Sequence, residues 1–158
     1  MSLGDELRYQ RALHGGDDLA ELEQEIGLVP GTLRYMEQRY RRIGEDDEVL
    51  EKIAAYYGVA LEKLQWHRER YRKALSAYLY QSMEEKTSAR FELRTGERLS
   101  GQVQWWDLGA FGLKLDGGEN QPLLVVQRHA VVDWEGAGEG DAFAKISLPS
   151  GAQRLDDR

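Results

Sequence analysis

The chain of 158 residues contains no cysteine. That excludes disulfides and every zinc site built on thiolates, and it makes a cytoplasmic protein the simplest reading. No apolar run approaches the roughly 20 residues that span a bilayer, and no signal-peptide pattern opens the chain, so no membrane partner is expected. Histidine is scarce: His14, His67 and His129 are scattered, without metal-ligand spacing. No serine-centred elbow, phosphate loop or dinucleotide fingerprint appears, and "GDD" and "EDDE" read as helix caps rather than paired catalytic carboxylates. These absences leave no enzyme, catalytic residue, metal, cofactor or small-molecule substrate in the expectation. A basic excess is missing too. Against 28 acidic residues stand 21 Lys and Arg, a net charge of −7, which argues against a simple polyanion binder. Cationic spots are local, as at residues 59–73 with 5 basic and 2 acidic side chains.

What is present divides near Thr87. Before it, the periodicity is helical. "LAELEQEIGL" sets Leu19, Leu22, Glu23 and Ile26 on one face, with Asp18 and Glu21 resembling a capping box. "DDEVLEKIAAYYG" turns Val49, Leu50, Ile53 and Ala54 inward and stops at Gly58. From Val59 to about Ser82, Leu61, Leu64, Tyr71, Leu75 and Tyr78 step by threes and fours, which predicts one long helix. Its stripe suits either a neighbouring helix or a core within the subunit. After Thr87, "ARFELRTGERLSGQVQWW" reads as two strands joined by a Thr-Gly turn, and "AFGLKL", "LLVV" and "AVVDW" follow as three more. Five short strands in such a span predict a small, strongly bent barrel. The adjacent Trp105 and Trp106 would face opposite sides of their strand, the outer one packing on a helix or, less simply, stacking on a base. "AFAKISL" in the Gly-rich acidic tail would add a strand at most.

Residues 5–64 resemble the helix-turn-helix domains of the XRE (lambda-repressor-like) family. "LAELEQEIGLVPGTLRYMEQ" carries the match, with Gly27, Leu28, Val29-Pro30 and Glu37 at the family's positions, and "LEKIAAYYGVALEKL" resembles its closing helix. The resemblance implies a recognition helix from Pro30 to about Arg39. Gly31, Thr32, Arg34, Tyr35 and Gln38 would face the major groove of duplex DNA, and Arg39, Arg41 and Arg42 would hold phosphates. Val29 stands where a polar cap is usual, so this helix start has no side-chain acceptor of its own.

Residues 78–134 resemble Hfq, the bacterial branch of the Sm-like family. "LRTGERLSGQVQWWD" is similar to its first motif, through Gly96, Leu99, Gly101, Val103 and Asp107, and "QRHAVVDW" to its second. The resemblance implies that Gln127, Arg128 and His129 form a tight turn facing the pore of a ring, binding U-rich single-stranded RNA, with Phe111 as a stacking ring and Asp107 ordering its turn. Glu92 replaces the tyrosine of the family's distal face, and Met83-Glu84-Glu85-Lys86 falls on its basic rim, so weak binding is expected at both.

The expected architecture is α+β: an all-α helix-turn-helix domain at 1–64, a long linking helix at 65–88, a five-stranded Sm-like (SH3-like) barrel at 89–135, and a tail at 136–158. The expected assembly is a homo-oligomer, a hexameric ring by resemblance. Three functions stand open: an RNA-binding post-transcriptional regulator, a DNA-binding transcriptional regulator whose ring supplies oligomerisation, and a protein-interaction scaffold without nucleic acid.

Overall fold

The computed structural model describes residues 1–139, so the tail strand expected at "AFAKISL" lies outside the described residues. The chain divides into two compact units, Ser2–Tyr71 and a second made of Met1 with the residues from Arg72 onward.

The first unit holds five helices: α1 Leu3–Leu13, α2 Leu19–Ile26, α3 Thr32–Gln38, α4 Asp47–Tyr57 and α5 Leu61–Arg68. Their starts and stops follow the local chemistry. Asp18 accepts the Ala20 amide at 2.8 Å at the head of α2, and Asp46 accepts those of Glu48 and Val49 at the head of α4. Gly27 ends α2 with φ of 82°, a left-handed conformation that suits glycine best. Leu7, Leu22, Leu33, Leu50, Ile53 and Leu64, one or more from every helix, bury together as the core. Their apolar faces drive the packing, since helices this short have little stability alone.

The second unit opens with α6 Arg72–Glu85 and continues as strands β1 Ala89–Leu93, β2 Arg98–Trp106, β3 Ala110–Leu115, β4 Leu123–Gln127 and β5 Val131–Trp134. All pair antiparallel in the order β4-β3-β2-β1-β5. Alternation turns Phe91, Val103, Phe111, Leu113 and Val126 inward. Gly101 is needed because β3 passes so close that a Cβ would strike the Lys114 carbonyl.

Two expectations are corrected here. The sheet does not close into a barrel. β4 and β5 are its opposite edges, and neither pairs with a further strand among the described residues. The apolar inner face is covered by α6 instead, where the Tyr78 ring meets Phe91 edge-on at 5.6 Å and the Tyr78 hydroxyl accepts the Arg90 amide at 2.9 Å. The Met1 amino group donates to the Val132 carbonyl of β5 at 2.7 Å. The second correction concerns the linking helix over 65–88, which is not continuous: α5 ends at Arg68 and α6 begins at Arg72. No Gly or Pro breaks it. Arg68 donates to the Gly44 carbonyl and to Asp47, and Glu69 accepts from Arg42, so the loop after α3 holds the end of α5 and the Arg70 amide closes a turn on His67. No helix of the described residues is long and apolar enough to cross a membrane.

Tyr57 is buried in the helical core, and its hydroxyl has no hydrogen-bond partner among the described residues. Burial pushes the phenol from 10.0 up to about 12. The folded state therefore keeps a proton that the unfolded chain releases, and stability falls as pH rises from about 10 to about 12. Tyr57→Phe is expected to leave stability at neutral pH unchanged or raise it by about 1 kcal/mol, and to flatten that alkaline decline. Urea unfolding at neutral pH and near pH 11 reads both effects, and a loss above about 1 kcal/mol at neutral pH would show that the hydroxyl is bonded.

Candidate nucleic-acid interface

In the helical unit, two buried carboxylates position α3. Glu23 of α2 is 4% exposed, and its oxygens accept the amides of Gly31 at 2.7 Å, Leu33 at 2.8 Å and Arg34 at 3.3 Å. A carboxylate from the neighbouring helix thus supplies the cap that Val29 cannot, and its charge suits the positive end of the α3 dipole. Glu37, near the other end of α3, accepts from Arg11 Nε at 3.0 Å and Nη2 at 2.9 Å, a bidentate pair that ties α3 to α1. With Leu33 and Met36 also buried, the inner face of α3 is fully used.

The outer face carries the residues expected to meet DNA. Gly31, Arg34, Tyr35 and Gln38 are exposed, and Thr32 is half-buried with its hydroxyl donating to the Val29 carbonyl at 2.6 Å. Arg39 is exposed and lies over the Tyr35 ring, 4.5 Å from its centre. Arg41 is exposed as well. Arg42 is engaged within the protein, donating to Glu69 at 2.7 Å and Glu45 at 2.8 Å, and its guanidinium holds Glu69 below the usual carboxylate range. All eight expected residues are therefore exposed or half-exposed, with Arg42 held in ion pairs to Glu45 and Glu69.

In the sheet unit, the break in "VVQRHAVVDW" is a short 3-10 turn, Arg128–Ala130, between β4 and β5. Gln127 and His129 point to solvent. Arg128, between them, turns inward and is 6% exposed. Its guanidinium donates to the Asp107 carbonyl at 2.9 Å, the Arg72 carbonyl at 2.8 Å and the Ser76 hydroxyl at 2.6 Å. It braces α6 and the β2–β3 turn instead of presenting a cation. Phe111 is fully buried, 4.8 Å from the Phe91 ring, and offers no face for a base. Asp107 accepts the amides of Gly109 at 2.7 Å and Ala110 at 2.8 Å, which hold it below the usual carboxylate range, and so it orders its turn. Two of the four expected RNA contacts, Gln127 and His129, thus reach the surface, while the cation and the ring do not.

The roles of Glu23 and Arg11 were not among the sequence expectations. A signal for Glu23 existed: a carboxylate on the inward stripe of α2, ahead of a helix with no cap of its own.

Glu23→Ala is expected to cost about 2–3 kcal/mol, since three amides lose a charged acceptor, with Glu23→Gln costing less. Unfolding curves measure this, and an unchanged midpoint would mean that solvent serves those amides equally well. Arg128→Ala is expected to cost about 3 kcal/mol, while the exposed Gln127→Ala stays within about 0.5 kcal/mol. Equal effects of the two would show that Arg128 is not a brace. No protein-family model and no curated protein matches this chain.

Proposed function

We propose that this protein is a cytoplasmic DNA-binding regulator that reads duplex DNA with α3 and self-associates through the edges of its sheet. One observation carries the reading. The outward side of residues 31–41 bears Arg34, Arg39 and Arg41 and no carboxylate, because the one acid in this stretch, Glu37, is turned inward onto Arg11. In a chain of net charge −7, that local separation is what polyanion contact requires. Arg34 and Gln38 are types that read guanine and adenine edges, and Arg39 and Arg41 are placed to hold phosphates. Glu23 already occupies the amides at the head of α3, so affinity must come from these side chains rather than from the helix start.

The open edges support self-association. β4 presents Leu123 and Val125, 52% and 66% exposed, without an edge-protecting charge in "LLVV". Pairing of β4 with β5 of another copy would cover such an edge and build a homo-oligomer, hexameric by the Sm-like resemblance. Several α3 helices on one assembly would raise avidity without new contacts. A second reading, binding of U-rich RNA at the β4–β5 turn, is favoured by the exposure of Gln127 and His129 alone.

Fluorescence anisotropy with duplex DNA, paired with light scattering, tests the proposal. Binding is expected at low salt, with Arg34→Ala weakening it about tenfold or more and Arg39→Ala and Arg41→Ala each lowering the salt slope by about one. Absence of duplex binding at low salt would end this reading. Binding of U-rich RNA that fails in His129→Ala would favour the second.

A further inference from the structure

The outward face of β2, β3 and β4 holds an aromatic ring in an unusual seat. Val103 faces inward opposite Leu113, and the register then shifts at Gln104, so that Trp105 comes opposite Gly112. The Trp105 indole fills the space a Cβ at residue 112 would occupy, meeting Nε1, Cδ1 and Cε2 of the ring, so only glycine admits it. The ring rests on the β3 backbone and remains 37% exposed. Cross-strand pairing sets Val125 beyond Gly112, and aligns Gln102, Lys114 and Leu123 in the next row. All four of these neighbours are exposed, and Lys114 is their single charge. The chain has 28 acidic residues, yet none stands in these two rows.

Covering a strand glycine with an aromatic accounts for one side of the indole. It does not account for the bare remainder of the ring, with an amide and a cation alongside. An immobilised aromatic plane, a nearby cation and amide side chains are the groups that hold unpaired bases, by stacking, phosphate contact and edge hydrogen bonds. We propose that this face binds single-stranded nucleic acid, with Trp105 as the stacking plane, Lys114 as the phosphate contact and Val125 as the apolar wall beside the base. The site uses no residue of α3 and none of Gln127, Arg128, His129 or Phe111.

The test uses the full chain with a labelled oligo(U), an oligo(dT) of the same length and a blunt duplex, read by anisotropy and by indole quenching at low salt. Both single strands are expected to bind and to quench. Trp105→Ala should weaken them about tenfold or more, Trp105→Phe much less, and Lys114→Gln should flatten the salt dependence by slightly under one unit. Circular dichroism confirms the fold of each variant. Gly112→Ala, which displaces the indole while keeping it, should reproduce the Trp105→Ala loss. Arg34→Ala should leave single-strand binding unchanged, and Trp105→Ala should leave duplex binding unchanged, so failure of the α3 reading and failure of this one are separable. Single strands that do not bind at low salt, or that bind folded Trp105→Ala as tightly as the parent, would overturn the proposal and leave Trp105 a cover for Gly112.

Discussion

The carboxylate of Glu23 is the constraint on which the helical unit turns. It stands on α2 but serves α3, accepting amides of Gly31, Leu33 and Arg34. A seven-residue helix has almost no stability of its own, and the turn before it, "GLVPG", contains no side chain able to cap it. One buried anion therefore fixes where α3 starts and at what angle it leaves the turn. Glu37 and Arg11 fix its other end. With both acids consumed inside, the side left for solvent is basic and aromatic. The surface chemistry of α3 is thus a by-product of how its interior is satisfied, and the strongly acidic composition of the unit does not reach it.

Arg128 has the corresponding place in the sheet unit, with the charge reversed. Its guanidinium donates to two carbonyls and a hydroxyl, joining α6, the β2–β3 turn and the β4–β5 turn. A buried cation with three hydrogen bonds is tolerable where an unpaired one would not be. Asp107 works beside it, capping its own turn while its main-chain carbonyl receives Arg128. Functionally, the consequence is a separation of neighbours: residues 127 and 129 face out, while 128 is structural.

Much of this was legible in the sequence, for identifiable reasons. Alternation marked "ARFEL" and "RLSGQVQWW", and runs of strand-forming residues between polar or glycine-rich breaks marked the other three, so all five strands fall close to where the sequence set them. The helix stops at Gly27 and Gly58 were readable for the same reason. Phe111 shows where family likeness overrode a better local signal: in "AFGLKL" it shares a face with Leu113, and that alternation alone places it in the core. Arg128 was harder, because a three-residue helical turn points successive side chains in different directions, and which one faces inward depends on acceptors at residues 72, 76 and 107. The break after Arg68 left no local mark, since it is made by ion pairs to the loop after α3. Openness of the sheet is likewise a property of edges, and no single strand encodes whether its edge will find a partner.

The bond between Arg128 and the Arg72 carbonyl spans 56 residues, whereas the Glu23–Leu33 bond spans 10. These separations impose an order on the emerging chain. The helical unit can fasten α3 within moments of its synthesis, while the brace between Arg128 and the first turn of α6 can form only after almost the whole sheet has been made. During that interval α6 can already pack on the early strands through Tyr78 and Phe91, and the brace that completes its anchoring is among the last of the described residues to be made.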